Sequence, residues 1–157
     1  MKETTLKFHI HFPVKPYLHK FLTHKFGPHF IYTKASILSP VIKSVLTESV
    51  SSELLGFKEE MYYEVIIPSN YFNKNSISFS SEKAFQFNKD VDHLFREELY
   101  QFMVLNHEIY GIKFRTSFRD YLSKFDITEN DVKYETLLKQ FQRNHRQNEE
   151  QNAGTVS

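Results

Sequence analysis

The sequence predicts an α+β fold, mainly helical, in which a small sheet, read as antiparallel, is packed by helices. Three observations carry that prediction. Residues 4–12 alternate apolar and polar side chains, and residues 61–67 are β-branched and aromatic, as strands are. Residues 81–111 hold an apolar stripe at three- and four-residue steps, which makes one long amphipathic helix. Residues 111–147 hold two more helical patterns split by a short break, a helix-turn-helix-like pair.

The first strand points Leu6, Phe8, Ile10 and Phe12 one way and Thr5, Lys7, His9 and His11 the other, and Pro13 is expected to close it. A helix follows with Pro16 in its first turn and Tyr17, Leu18, Phe21, Leu22 and Phe26 on its apolar side, stopping at Gly27-Pro28. Residues 29–34 form a short extended piece. Ser36 is placed as the cap of a helix reaching about residue 50, with Pro40 in its early turns and Ile37, Leu38, Val41, Ile42, Val45 and Leu46 facing inward.

Residues 51–60 read as a loop. The second strand follows, with Tyr63, Val65 and Ile67 on one face and Pro68 at its end. An aromatic, Asn-rich connection leads through a short strand at 76–79 to the long helix, which starts near Ser81 or restarts near Asn88. Val91, Leu94, Phe95, Leu99, Phe102, Met103, Leu105 and Ile109 form its stripe, and Gly111 ends it.

The next helix spans about 113–125 and buries Phe114, Phe118, Tyr121, Leu122 and Phe125. After a break at 126–128, Thr128 with Asp131 three residues on is expected to start the last helix, whose apolar residues are Val132, Leu137, Leu138 and Phe141. One domain is predicted over 1–147, with 111–147 as the helix-turn-helix-like segment. Residues 148–157 have nothing to bury and are expected to be a disordered tail.

The core is aromatic, with 16 Phe and 9 Tyr, and the absence of Cys removes disulfides and thiolate metal sites. No apolar run approaches the roughly 18 residues that span a bilayer, so a cytoplasmic location without membrane contact is expected. The net charge of +1 hides a division: residues 1–45 carry +6, residues 46–110 carry −6 and residues 111–147 carry +3. Basic segments at both ends can bind phosphate only where they form a local patch.

No Gly-rich phosphate loop, nucleophile elbow or His-Glu-x-x-His occurs, so no catalytic residue and no cofactor is assigned. His9 and His11 share a strand face, but no carboxylate lies near them in sequence, and no metal ligand is assigned either.

The runs Phe12-Pro13-Val14-Lys15-Pro16-Tyr17-Leu18, Phe95-x-x-Glu98-Leu99-Tyr100 and Ile127-Thr128-Glu129-x-Asp131-Val132, with the closing Gln140-Phe141-Gln142-Arg143, resemble a group of uncharacterised proteins from mobile elements and prophages of Bacteroidetes-type bacteria. The resemblance covers most of residues 10–146 and implies a bacterial or virion setting, with a DNA-binding C-terminal segment. The expected activity is therefore non-enzymatic binding of double-stranded DNA. Thr128 to Arg146 would lie along the major groove, and Lys113, Arg115, Arg119, Lys133, Lys139, Gln142, Arg143 and Arg146 would contact phosphates and base edges. The rival class is a structural, virion-associated or protein-interaction module, meeting a second copy or an acidic partner through aromatic and basic surface.

Overall fold

The computed structural model describes residues 6–47, 59, 61–71 and 81–154. The expectations for residues 4–5, for the end of the second helix beyond 47, for the 51–60 loop apart from Glu59 and for the 76–79 strand lie outside the described residues. The chain forms two compact units, Met1–Phe95 and Arg96–Ser157, whereas the sequence predicts one domain over 1–147. Among the described residues there are five helices and three strands.

The first unit contains β1 (Lys7–Val14), α1 (Pro16–Phe26), β2 (His29–Ile31), α2 (Ser39–Thr47), β3 (Met61–Pro68) and the first half of α3 (Ser81–Tyr110). The sheet order is β1-β3-β2. β1 pairs antiparallel to β3, with Phe12 opposite Tyr63, whereas β2 pairs parallel to β3, with Phe30 opposite Val65. The sheet is therefore mixed, not antiparallel as expected. Parallel neighbours need a crossover connection, and α2 lies within it.

Pro13 does not close β1, which continues to Val14 and places Pro13 opposite Tyr62. An edge strand tolerates a residue without an N–H where a central strand would not. Phe12, Val14, Phe30, Tyr63, Val65 and Ile67 are buried, while Phe8 and Ile10 are half-buried and Leu6 is exposed. Phe12 stacks on Phe87 of α3 with ring centroids 4.1 Å apart, and Phe21 of α1 meets Phe95 edge-on at 5.5 Å. These contacts join the sheet, α1 and α3 into one aromatic core.

Asn88 fixes the entry to α1. Its Oδ1 accepts from the Lys15 N–H at 2.9 Å, and its Nδ2 donates to the carbonyls of Pro13 at 2.7 Å and Ala84 at 2.8 Å. Lys15 is the N-cap and has no side-chain cap of its own, so Asn88 satisfies a backbone donor just before the Pro at the first helical position. α3 accordingly starts at Ser81 and runs through Asn88 without a restart.

α2 starts at Ser39, two residues later than a cap at Ser36 would give. Ser36 instead holds the preceding turn, where its Oγ accepts from the Leu38 N–H at 3.2 Å. At the other end, buried Lys83 donates to the Leu46 carbonyl at 3.2 Å, a cation on the last turn of the helix.

The second unit is built from the rest of α3, α4 (Phe114–Lys124) and α5 (Tyr134–Gly154). Leu99, Met103, Phe118, Tyr121, Leu122, Phe125, Ile127, Leu137 and Phe141 are buried in it. The stripe expected along α3 is only partly covered. Leu94 and Phe102 are half-buried, and Leu105 and Ile109 are exposed at 54% and 64%. Six residues on from Leu99, Leu105 lies about 120° round the helix from it, off the covered face.

Candidate nucleic-acid interface

The residues nominated as DNA contacts all lie in the second unit, where the local folding of α4 and α5 sets their directions. Gly111 ends α3 in the left-handed region (φ 65°) and returns its N–H to the His107 carbonyl at 3.0 Å. Lys113 then becomes the N-cap of α4. α4 ends in the same style with an unusual residue: Asp126 is left-handed at φ 55°, its N–H bonds to Ser123 O at 3.0 Å, and the Ile127 N–H bonds to Leu122 O at 2.9 Å. This double hydrogen-bonded terminus turns the chain and buries Ile127.

Thr128 does not cap α5. The Asp131 carboxylate accepts the Thr128 N–H at 2.8 Å and its hydroxyl at 3.1 Å, while the Val132 N–H closes on the Thr128 carbonyl at 3.1 Å. The start signal is real, but it is consumed by a single turn. α5 begins at Tyr134, whose hydroxyl donates to the Ile127 carbonyl at 2.8 Å and ties the connection to the helix. The link from Lys124 to Tyr134 therefore takes residues 125–133, against roughly three to four in a helix-turn-helix. Lys133 precedes the helix and does not lie on it.

α5 continues through Gly154, across residues expected to be a tail. Residues 146–154 are all exposed, so no burial holds this extension. His145 faces Glu149 one turn on at 3.2 Å, a pairing of the kind that supports exposed helices.

Lys113, Arg115, Arg119, Lys133, Lys139, Gln142, Arg143 and Arg146 are all exposed. The structure brings four of them together. Lys139, Gln142, Arg143 and Arg146 recur at three- and four-residue steps on the side of α5 opposite buried Leu137 and Phe141. Arg115 and Arg119 form a second, shorter row one turn apart on α4. Charge on α5 is not uniform, however. Exposed Glu135 lies one turn before Lys139 and exposed Glu150 one turn after Arg146, so carboxylates bracket the basic row.

Beneath this surface the packing is aromatic. Phe114 meets Phe141 edge-on at 5.0 Å, Tyr100 reaches Phe141 at 5.3 Å, and His145 stacks on Phe141 at 5.5 Å. The Arg96 guanidinium donates to the Gln140 side-chain oxygen, fixing α5 to α3. Burial, and then the neighbouring Glu98 carboxylate, hold the Tyr121 hydroxyl well above the usual tyrosine range, so it stays protonated.

Sequence reasoning missed a polar row on the sheet of the first unit. His11 and His29 both lie opposite Glu64 in the strand register. Glu64 accepts from His9 Nδ1 at 2.7 Å and lies 3.6 Å from His11 Nε2. The hydrogen bond from His9, and then the charges of His9, His11 and His29, hold its carboxyl below the usual glutamate range. The carboxylate that His9 and His11 lack nearby in sequence is 55 and 53 residues away and arrives through strand pairing. Among the described residues, no group of three or more His, Asp or Glu side chains is arranged to hold a metal ion, and no helix is long and apolar enough to cross a membrane.

No family model, curated protein or solved structure matches this chain.

Proposed function

We propose that the unit Arg96–Ser157 binds double-stranded DNA without catalysing a reaction, through the outward row of α5. The observation that carries this reading is the grouping of Lys139, Gln142, Arg143 and Arg146 on the helix face opposite Leu137 and Phe141. A helix of that width enters a major groove, where Arg and Lys reach phosphates and guanine and Gln reaches adenine. Arg115, Arg119, Lys113 and Lys133 would add phosphate contacts. The nine-residue connection argues for a helix presented on its own over a compact helix-turn-helix. The resemblance to mobile-element proteins supports a setting in a bacterial cytoplasm, in a phage or other mobile element.

A mobility-shift titration at two salt concentrations tests it. Duplex DNA should bind with an affinity that falls steeply with salt, and replacing Lys139, Arg143 and Arg146 together by Ala should flatten the log–log slope by roughly 2–3 units, at about 0.9 per phosphate released. Glu135→Gln with Glu150→Gln should tighten binding by removing the flanking repulsion. Wild-type protein that shifts no duplex at low salt would remove the proposal.

A second reading, a protein-interaction module, is favoured by Leu105, Ile109 and Tyr110, which leave a large apolar surface exposed at the end of α3. Concentration-dependent self-association abolished by Ile109→Asp, together with absent DNA binding, would select it.

A further inference from the structure

The strands β2 and β3 run parallel on either side of a crossover containing α2, and a cavity of about 530 Å³ opens just beyond their carboxyl ends. Its described lining is Tyr32 and Lys34 after β2, Tyr71 after β3, and Ser39, Pro40 and Lys43 in the first turns of α2. In open α/β sheets, ligands bind in the crevice outside the carboxyl ends of the parallel strands, and the parallel pair here presents such an end with the crossover helix starting beside it. The volume falls within the roughly 300–1,000 Å³ of small-molecule pockets.

We propose that this cavity binds the phosphoryl group of a small phosphomonoester, with a nucleoside monophosphate as the fitting class. The six described lining residues include two cations and no carboxylate. Lys34 places its Nζ 5.9 Å from the centre of the Tyr71 ring, and Tyr71 packs edge-on against Tyr32 at 5.1 Å. The walls therefore include two phenol rings, and the two cations come from the connection after β2 and from α2. Lysine binds phosphate as a point charge and needs no bidentate geometry.

The frame is fixed before a ligand arrives. The Tyr32 N–H bonds to the Ile66 carbonyl at 2.8 Å, extending the β2–β3 ladder by one residue. Ser39 donates its hydroxyl to the Thr33 carbonyl, which locks the loop between β2 and α2 onto the start of the helix. Burial, and then proximity to Tyr71, raise the pKa of the Tyr32 hydroxyl above its usual range. A phosphoryl dianion brings acceptors only, and its nucleoside brings a ring that can lie against Tyr71.

Isothermal titration of the full chain with adenosine monophosphate, inorganic phosphate and adenosine, at matched ionic strength, tests the assignment. The monophosphate should bind saturably, inorganic phosphate more weakly, and uncharged adenosine not at all. Lys34→Gln and Lys43→Gln should each weaken the monophosphate by at least about tenfold, the scale of one charged hydrogen bond, while Lys34→Arg retains binding and shows that the site still folds. Equal affinity for inorganic phosphate and the monophosphate would assign the site to free phosphate and overturn the nucleoside part. No saturable heat with either anion at millimolar concentration, or binding undiminished in both Gln variants, would overturn the whole. Lys34 and Lys43 lie outside the α5 row, so the same variants should leave the DNA shift unchanged, and the two proposals fail separately.

Discussion

The two units are stitched differently. In the first, polar side chains connect segments far apart in sequence: Asn88 reaches Lys15 and Pro13 across 73 and 75 residues, Tyr17 donates to Asp92 at 2.6 Å across 75, and Tyr63 donates to the Gly27 carbonyl across 36. In the second, most of the polar closure is local. Asp131 turns back on Thr128, three residues away, and Tyr134 on Ile127, seven away. The left-handed Gly111 and Asp126 end their helices within a few residues. The first unit therefore depends on distant segments arriving together, whereas the second is assembled largely from signals along one stretch of chain.

Breaking a distant clamp should cost the most. Asn88→Ala removes the partner of the Lys15 N–H and the Pro13 carbonyl at a part-buried site, and stability should fall by about 2–4 kcal/mol, the lower part of the range that two groups at about 1–3 each would give if fully buried. Asn88→Asp keeps an acceptor for Lys15 but sets a buried carboxylate against the Pro13 carbonyl with no donor between them, so it should fall at least as far as the Ala variant. Urea unfolding followed by circular dichroism measures both. An Ala variant within about 0.5 kcal/mol of wild type, the usual span of surface substitutions, would mean that the clamp is solvated.

The same contrast explains what could be read from the residues. Helical periodicity is local, so α1, α3 and α4 appear where the pattern of Leu18, Phe21 and Leu22, of Phe95 and Leu99, and of Phe118 and Leu122 puts them. Strand order is not local. Nothing in His29-Phe30-Ile31 says that it lies parallel to β3, because three residues carry no register and the partner is more than thirty residues away. The Glu64 row, which needs the β1–β3 pairing as well, and the Tyr32–Tyr71 cavity are consequences of strand pairing and were equally illegible. The error at Thr128 is of another kind: its capping signal is genuine, but sequence cannot show that Asp131 and Val132 close a single turn before Tyr134 restarts the helix. The basic row of α5 was legible because its spacing within one helix fixes the common face.

A local terminus should give a smaller effect, and of opposite sign. Asp126 occupies a left-handed conformation that favours glycine, and the space is set by the backbone bonds to Leu122 and Ser123, which any residue can make. Asp126→Gly should stabilise the protein by about 0.5–1 kcal/mol, Asp being among the residues that pay least in this conformation. An increase in the urea midpoint with an unchanged slope is the expected result. A decrease would show that the Asp126 side chain contributes more than its backbone costs.

The smallest effect should come from the histidine row, where a distant clamp is exposed to solvent. Glu64 has its folded-state pKa lowered from an ordinary value of 4.5 by the hydrogen bond from His9 and the charges of His9, His11 and His29. A lowered carboxylate pKa means that the folded state binds protons less readily than the unfolded state. The contribution to stability is therefore complete above about pH 4.5 and is lost as pH falls through the folded value. Glu64→Gln removes that contribution, so wild type should be the more stable at pH 6 and the two melting curves should converge on acidification towards pH 3. Because the pair is exposed, added salt should shrink the difference at pH 6, which a buried clamp such as Asn88 would not show. A gap between wild type and Glu64→Gln that persists unchanged below pH 4 would mean that the strand pairing, and not the ionised carboxylate, is what the substitution disturbs.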